Sequence, residues 1–246
     1  RREIALMEQD MKAVLMMGNV AAYNRVMGRV DEKNVGWGKG CMTADASLHV
    51  QVVLQQSLEA KRDVWLLMID LKTFFSMIDR RALMIYELAL GMPEEILDLA
   101  TGIYGGADTG TECRFDSAGG LGGAFKNNMG ALMGCVQSPN KAKIFIDSVI
   151  RAIDMTCKGI KLWGTNDGEG NWQEVSQVAF GDDWLGTFGS EEQVQAAWGI
   201  WRCWSTCHGM KLGIKELLKT VVTGVRFDDA GKAMSIVDPM LITEEG

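Results

Sequence analysis

Two acidic sites, each placed at the end of a predicted strand, constrain the fold of this chain most. The unbroken apolar run at 64–69 (VWLLMI) has the length of a buried strand, and Asp70 follows it directly. Further along, the strand-like runs at 175–180 and 184–188 flank the sequence GDD at 181–183. This pattern predicts a hairpin that carries carboxylates at its tip.

The chemistry of these carboxylates points to a divalent metal. A carboxylate at the end of a buried strand is costly unless it is paired or coordinates a metal ion. Its hard oxygen atoms suit Mg²⁺, and two such ions, about 3.5–4 Å apart, would hold both the attacking and the leaving oxygen of a phosphoryl transfer. Asp70, Asp182 and Asp183 are therefore predicted to form a metal site. The alternative is structural, because turns favour Asp for local hydrogen bonds.

The remaining pattern favours an α+β fold. Apolar residues at helical spacing predict helices at 43–61, 80–90, 94–104, 141–153 and 191–208, and a strand is predicted at 111–115, before a glycine-rich loop at 119–123. Because strands and helices alternate with a hairpin between them, we expect an antiparallel sheet backed by helices rather than a parallel, doubly wound sheet. The 246 residues contain only 3 prolines and no linker or repeat, so one compact domain is predicted.

The charge of the chain argues at first against a nucleic-acid partner. The formal net charge is −7 and the isoelectric point is about 5.0. Basic residues nevertheless outnumber acidic ones at 1–41 and at 139–161. The charge therefore predicts weak, strongly salt-sensitive binding of nucleic acid rather than none. The longest apolar run has six residues, far short of the roughly 20 that a membrane span needs, so no membrane partner is expected.

The six cysteines are scattered without a paired framework. This distribution fits a reducing compartment, so we expect an intracellular protein, with the nucleus as one alternative. The cluster of Cys203, Cys207 and His208 lacks a fourth nearby metal ligand, and core thiols are the preferred interpretation. The tryptophans at 198, 201 and 204 are expected in the core.

Four sequence blocks, taken in order, resemble known polymerase motifs. They are DLKTFF at 70–75, GALMGCVQSP at 130–139, FGDD at 180–183, and GMKL at 209–212 with Lys219. Their order and spacing resemble motifs A to D of reverse transcriptases, most closely the non-LTR retrotransposon (LINE-like) and group II intron-like enzymes. Two upstream blocks, at 2–12 and 36–46, resemble motifs of the fingers in the same enzymes. The resemblance covers nearly the whole chain.

The resemblance implies a set of catalytic and metal-binding residues. Asp70 and Asp182 match the two metal-binding aspartates, Asp183 matches the third acidic position, and the carbonyl of Leu71 matches a main-chain ligand. The implied cofactor is a pair of Mg²⁺ ions, with Mn²⁺ as an alternative.

The resemblance also implies contacts with the incoming nucleotide. Phe75 matches the aromatic steric gate that excludes a ribose 2′-hydroxyl, which favours deoxynucleotides. Gly134 matches a glycine where the backbone passes close to the nucleotide or template. Arg2 and Lys12 resemble basic residues that bind the triphosphate. Lys219 resembles a general acid for the leaving pyrophosphate, and Lys215 competes with it for this role. Each has a structural alternative: Phe75 as a core residue, Gly134 as a turn glycine, Arg2 and Lys12 as part of a solvated face.

The implied fold is the fingers and palm of a right-hand polymerase, with an antiparallel palm sheet and the thumb largely absent. The fingers are predicted at about 1–62 and 80–128, the palm at 63–79 and 129–226, and a tail or the start of a thumb connection at 227–246. The implied partners are an RNA template, a DNA or RNA primer and deoxynucleoside triphosphates. Because the sequence begins without an initiator methionine, we expect a piece of a larger retroelement polyprotein.

The sequence departs from the family pattern at several positions. Met133 stands where the family usually has Gln, Val136 replaces Pro, Ser76 replaces Asp and Gly213 replaces Asn. The predicted function is that of an RNA-directed DNA polymerase, a nucleotidyltransferase. A catalytically inactive palm-fold scaffold or decayed element copy, and an RNA-dependent RNA polymerase, remain as alternatives.

Overall fold

The computed structural model describes residues 9–38, 40–105, 110–117, 120–132, 134–163, 172–214 and 220–237. The chain divides into two compact units. The first unit contains Arg1–Val30 and Thr73–Phe145, and the second contains Asp31–Lys72 and Ile146–Gly246. The predicted boundaries of fingers and palm stay a prediction.

The helices form where the sequence repeats apolar residues every three or four positions. They are α1 (Gln9–Gly18), α2 (Asn24–Met27), α3 (Thr43–Glu59), α4 (Phe74–Met77), α5 (Arg80–Ala89), α6 (Glu94–Tyr104), α7 (Ser138–Thr156) and α8 (Glu191–Cys207). A π-helical turn, Asn19–Tyr23, joins α1 to α2. Helix α5 begins where the Asp79 carboxylate accepts hydrogen bonds from the Arg81 and Ala82 amides.

Within the described residues, the strands pair with one another in antiparallel fashion, and one isolated parallel bridge joins Asn34 to Ala179. They are β1 (Val64–Ile69), β2 (Leu71–Lys72), β3 (Thr111–Ser117), β4 (Gly120–Asn127), β5 (Ile160–Trp163), β6 (Trp172–Val175), β7 (Gln177–Phe180), β8 (Asp183–Phe188), β9 (Lys211–Leu212), β10 (Val221–Phe227) and β11 (Ala233–Val237). One sheet has the order β11-β10-β1-β8-β7. The pairs β2-β9, β3-β4 and β5-β6 form separate ladders. The predicted antiparallel sheet with helices is confirmed.

The second unit is built around β1, the central strand of the sheet. Val64 and Leu66 belong to a core cluster with Val53 of α3. Trp184 of β8 meets Trp201 of α8 edge to face, with 5.3 Å between the ring centroids. Helix α3 therefore packs against β1, and helix α8 packs against the neighbouring strand β8. This burial explains why the run at 64–69 is apolar without alternation.

The first unit is mainly helical and contains a charged pair in its interior. Lys141 of α7 donates to the Glu87 carboxylate of α5 over 3.0 Å, and both side chains are buried. The Tyr23 hydroxyl also donates to Glu87. Burial, and the Glu87 charge after it, raise the pKa of Tyr23 well above its usual value. The ammonium of Lys141 lies 5.5 Å from the centroid of the Tyr23 ring and 5.4 Å from that of Tyr104.

The structure differs from the sequence-based expectation in three places. Strand β4 begins at Gly120, inside the stretch predicted as a loop. Val175 belongs to β6, which pairs with β5, rather than to the strand before the acidic turn. Cys203 and Cys207 are exposed, so their prediction as core thiols was wrong. The predicted burial of the three α8 tryptophans is confirmed, so they lie on the side of the helix that faces the core.

All six cysteines are free thiols. Within the described ranges, no helix combines the length and the hydropathy that crossing a membrane requires.

Candidate active site

Asp70 lies directly after the central strand of the second unit. Ile69, the last residue of β1, pairs with Trp184 of β8. Because the two strands are antiparallel, the next register position brings Asp70 opposite Asp183. The Oδ2 atom of Asp70 is buried, and its backbone N–H donates to the Thr220 hydroxyl over 3.3 Å. The sheet thus brings the two predicted acidic segments to the same edge.

The acidic turn is a tight hairpin. Phe180 pairs with Asp183, which leaves only Gly181 and Asp182 in the loop. Gly181 has a φ of +71° at the first loop position, where a type II′ turn requires a positive value. Asp182 is half-buried and Asp183 is exposed. The prediction of a hairpin with an acidic tip is confirmed.

A segment that sequence reasoning assigned to the fingers supports this hairpin. The buried Asn34 accepts hydrogen bonds through Oδ1 from the N–H of Gly36 (3.2 Å) and from that of Gly181 (3.4 Å). The Val35 N–H donates to the Ala179 carbonyl, and the Ala179 N–H donates to the Lys33 carbonyl. Sequence reasoning missed Asn34, because nothing in one sequence links this position to residues about 145 places further on.

A cavity of about 380 Å³ lies beside the acidic edge. Helix α3 and strands β1, β7 and β8 provide its walls, and Asp70 and Asp183 are among the lining residues. Asp182 is not, so its approach to Asp70 stays a prediction. The cavity therefore combines the carboxylate of Asp70, which follows β1, and that of Asp183 in β8 with mostly apolar walls.

The short ladder β2-β9 continues the chain beyond Asp70. Leu71 is buried and pairs with Leu212, which places its backbone next to the carboxylate site. The Gly213 N–H donates to the Asp70 carbonyl over 2.9 Å. A Cβ atom at Gly213 would lie 2.6 Å from Oδ2 of Asp70, closer than such contacts allow. The absence of a side chain at Gly213 therefore leaves room for the Asp70 carboxylate. In the sequence, Gly213 stood out only as a departure from the family pattern.

The residues at this cavity fit a magnesium ion whose remaining ligands are water and substrate phosphates. Within the described ranges, no group of three or more His, Cys, Asp or Glu side chains is arranged to hold a metal ion. Mg²⁺ does not need such a cage, because it commonly binds through one or two carboxylates together with water and substrate phosphates. Asp70 and Asp183 can provide that carboxylate pair.

Other aspartates of the second unit have structural roles. Asp154 binds Lys33 with 2.5 Å between Oδ2 and Nζ, and Asp147 binds Arg151 at 2.6 Å. Burial alone would lower the pKa of Lys33, but the hydrogen bond and charge of Asp154 raise it above its usual value. The hydrogen bond to Asp147 likewise raises the pKa of Arg151.

Three predicted nucleotide-binding residues lie in the first unit. Phe75 is half-buried on α4, with its ring edge to face with Phe74 at 5.6 Å. Its carbonyl accepts a hydrogen bond of 2.8 Å from the Ala131 N–H, so the motif that contains Gly134 is anchored beside it. Gly134 is exposed with a φ of +96°, and Lys12 is half-buried on α1.

The remaining predicted residues, Arg2, Lys215 and Lys219, lie outside the described residues. Their roles stay predictions, as do those of Lys12, Phe75 and Gly134.

Comparison with known proteins identifies the relatives of this chain. Among solved structures, it is similar to telomerase from Candida albicans in complex with a TWJ fragment of telomeric RNA, with a TM-score of 0.59 and 12% identity over 94% of this chain and 39% of that chain. It is also similar to apo telomerase from Candida tropicalis truncated from the C-terminal domain, with a TM-score of 0.55 and 12% identity over 92% of this chain and 42% of that chain. The chain thus spans about two fifths of each telomerase chain, and at this identity the likeness concerns the fold.

No curated protein sequence matches the chain significantly. The family model described as "Reverse transcriptase (RNA-dependent DNA polymerase)" matches residues 2–220, almost nine tenths of the sequence. The match includes every predicted site residue, from Arg2 to Lys219. The chain belongs to the reverse transcriptase family.

Proposed function

We propose that this chain is the catalytic reverse transcriptase domain of a retroelement, which copies an RNA template by adding deoxynucleotides to the 3′-hydroxyl of a DNA or RNA primer. The observation that carries the proposal is the cavity bordered by Asp70 and Asp183, at the edge where β1 and the β7-β8 hairpin meet. The retroelement origin rests on the motif order, which resembles LINE-like and group II intron-like enzymes.

The proposed chemistry uses two Mg²⁺ ions, with Mn²⁺ as an alternative. When bound, these ions would stabilise the negative charge on the attacking and leaving oxygens of the in-line displacement. Asp70 and Asp183, with Asp182 and the Leu71 carbonyl nearby, would hold them. Gly213 would keep Asp70 in position, and Asn34 would hold the hairpin through the Gly181 N–H. Lys219 would supply a proton to the pyrophosphate, with Lys215 as the alternative donor.

An RNA template is the proposed polyanionic partner. One of the similar telomerase structures contains a fragment of telomeric RNA, and members of the matched family are described as RNA-dependent DNA polymerases. The net charge of −7 leads us to expect weak binding, and contacts between basic residues and phosphates should make this binding sensitive to salt. We place the protein inside the cell, with the nucleus as one alternative, because its six cysteines are free thiols.

Primer extension on an RNA template with Mg²⁺ tests the proposal. We expect Asp70→Asn, Asp182→Asn and Asp183→Asn each to lower the extension rate by at least about 10²–10³-fold, the size of losing one preorganised electrostatic contact. Asp229→Asn is the matched control, because Asp229 is an exposed carboxylate in the β10-β11 turn. If wild type, Asp70→Asn and Asp182→Asn show the same signal, the chain is a scaffold rather than an enzyme.

The choice of DNA synthesis depends on Phe75. If its ring excludes a 2′-hydroxyl, Phe75→Ala should increase ribonucleotide incorporation relative to deoxynucleotide incorporation by about 10-fold or more. Phe125→Ala, which removes an exposed ring on β4, is the control. Unchanged sugar selection in Phe75→Ala would remove the reason to prefer DNA over RNA as the product.

A further inference from the structure

In the first unit, one arginine joins the segment that carries Phe75 to the start of the block at 130–139. This residue is Arg80, the first residue of α5. Its guanidinium donates to the carbonyl of Gly130 through Nε over 2.9 Å and to that of Met129 through Nη2 over 3.0 Å. One planar side chain thus holds two consecutive carbonyls where a block that resembles a polymerase motif begins.

The backbone at 130 and 131 is also held by main-chain hydrogen bonds. The Gly130 N–H donates to the Ile78 carbonyl, and the Ala131 N–H donates to the Phe75 carbonyl, each over 2.8 Å. Together with the guanidinium of Arg80, these bonds attach the two residues to the 75–80 segment at three points. We call these three contacts the Arg80 clamp.

The Arg80 clamp requires a glycine at position 130. Gly130 has a φ of +79°, which strains any residue with a Cβ atom. A Cβ atom there would also lie 2.7 Å from the carbonyl oxygen of Phe75 and 2.8 Å from the Cα atom of Ser76, closer than such contacts allow. The two backbones are therefore packed directly on each other, so a shift of one should move the other.

Arg80 holds two neighbouring elements as well. Its Nη1 donates to the carbonyl of Tyr104, the last residue of α6, over 2.7 Å and to that of Asn127, the last residue of β4, over 3.1 Å. The bonds to carbonyls thus use Nε and both terminal nitrogens. A planar guanidinium provides this fork of donors, and the single ammonium of a lysine does not.

Helix stability explains only part of this arrangement. A cation at the first position of a helix is unfavourable for that helix, so α5 gains nothing from Arg80. A cation near the C-terminal end of α6 is favourable, which explains the bond to Tyr104. It does not explain the bonds to Met129 and Gly130, which lie outside the helices. A lysine would supply the charge at the end of α6 but not the full set of bonds, and this difference separates the two roles.

We propose that Arg80 is a positioning residue for nucleotide selection, which keeps Phe75 in a fixed place relative to the start of the 130–139 block and thereby maintains the preference for deoxynucleotides. The inference rests on the proposed function, in which the Phe75 ring excludes a ribose 2′-hydroxyl. Arg80 acts through the backbones of Phe75 and Gly130 rather than on the nucleotide. A misplacement of about 1 Å can cost about 10²-fold in rate, so a small shift of the ring is enough.

The first measurement is the ratio of kcat/KM for a deoxynucleotide to that for the matching ribonucleotide in primer extension. We expect Arg80→Lys to lower this ratio by about 10-fold, because the ammonium cannot hold all the carbonyls at once. Arg114→Lys is the matched control, since Arg114 is an exposed arginine on β3 of the same unit. An unchanged ratio in Arg80→Lys, or an equal fall in kcat for both nucleotides, would contradict the proposal and assign Arg80 a structural role.

Amide hydrogen exchange measures the Arg80 clamp without any need for activity. The N–H groups of Gly130 and Ala131 should exchange faster in Arg80→Lys than in wild type, because the local structure that protects them opens more easily. The amides of β1, in the other unit, should keep their wild-type rates, as should all of these amides in Arg114→Lys. Equal protection at 130 and 131 in Arg80→Lys and wild type would overturn the proposal.

Gly130→Ala tests the Arg80 clamp from the opposite side, and it replaces Arg80→Lys if that variant does not fold. It should lower the same ratio of kcat/KM, because the new Cβ presses on the Phe75 carbonyl. Gly120→Ala is the matched control, since Gly120 also has a positive φ, +103°, but a Cβ there meets no atom within 4 Å. Equal ratios in the two alanine variants would contradict the proposal.

The variant Phe75→Ala separates this inference from the proposed function. If wild type extends primers and Phe75→Ala changes the sugar ratio, while Arg80→Lys and Gly130→Ala do not, only the role of Arg80 is wrong. If wild type extends no primer, or Phe75→Ala leaves the ratio unchanged, the proposed function or its sugar gate fails, and the role of Arg80 in selection fails with it.

Discussion

The two units place their carboxylates in opposite environments. In the first unit, Glu87 and Lys141 form a buried pair, and Tyr23 adds a hydrogen bond to the same carboxylate. In the second unit, Asp70 and Asp183 line a cavity at the edge of a sheet, half-buried and exposed respectively. The first arrangement neutralises its charge inside the protein. The second concentrates charge of one sign where a cation and a substrate can reach it.

This difference separates stability from function. A buried, paired carboxylate is strongly destabilising when its partner is removed, because an uncompensated charge remains in the interior. An exposed carboxylate at the rim of a cavity contributes little to folding, so its removal should change stability much less. Variants of the two sites should therefore affect different measurements.

Breaking the buried pair should have the largest effect on stability. We expect Lys141→Met to lower the free energy of unfolding by about 3–5 kcal/mol, because Glu87 loses its cation in a buried site. Asp183→Asn should change it by less than about 0.5 kcal/mol, as is usual for an exposed residue. Urea denaturation followed by circular dichroism measures both values. Equal effects of the two variants would contradict the division between the sites.

A double variant sharpens this first prediction. Glu87→Gln combined with Lys141→Met removes both charges, so it should recover a large part of the stability that Lys141→Met loses. If the double variant is the less stable of the two, the loss comes from packing around Lys141 and not from the charge of Glu87.

A smaller but more specific effect is expected at Gly213. In Gly213→Ala, the new Cβ would lie 2.6 Å from Oδ2 of Asp70, so the carboxylate has to move. We expect the rate of primer extension to fall by about 10–100-fold, the range seen when the support of a metal ligand is lost. Gly189→Ala is the matched control, because a Cβ at Gly189 meets no atom within 4 Å. A Gly213→Ala variant as active as wild type would mean that Gly213 does not position the Asp70 carboxylate.

The sequence was sufficient to predict the acidic edge but not its supports. The run at 64–69 and the GDD turn each carry a local signal, a buried strand and a two-residue loop, and both are confirmed. Asn34 and Gly213 carry no such signal, because their importance comes from contacts with Gly181 and Asp70, which are distant in the sequence. For the same reason the Lys141–Glu87 pair could not be predicted, since two helices have to pack before the residues meet.

The two exposed cysteines of α8 illustrate the opposite error. Cys203 and Cys207 are small apolar side chains at helical spacing, a pattern that also fits a buried face. The larger tryptophans at 198, 201 and 204 compete for the core, and they take it because they bury more apolar area. Side-chain size decided the orientation of the helix, and spacing alone could not.

A substitution at Asn34 should weaken the acidic hairpin. Asn34→Leu removes the acceptor for the Gly181 and Gly36 N–H groups, so two backbone donors lose their partner. We expect a loss of about 1–3 kcal/mol in the free energy of unfolding. Extension activity should fall as well, because the turn that carries Asp182 loosens. Asn128→Leu, at an exposed position, is the control for both measurements. Full activity in Asn34→Leu would mean that the hairpin is held by the sheet alone.

The smallest expected effect is a pH dependence in the second unit, which involves neither charged site. His49 of α3 is half-buried, its Nε2 has no hydrogen-bond partner among the described residues, and burial lowers its pKa. Below the usual histidine pKa of about 6.5, the unfolded chain binds this proton more readily than the folded one, so stability is lost as the pH falls. Unfolding of wild type and His49→Leu at pH 7.5 and 5.5 measures the difference. The variant should lose less stability on acidification than wild type, and an equal or greater loss in the variant would assign the acid sensitivity to the carboxylates of the two charged sites.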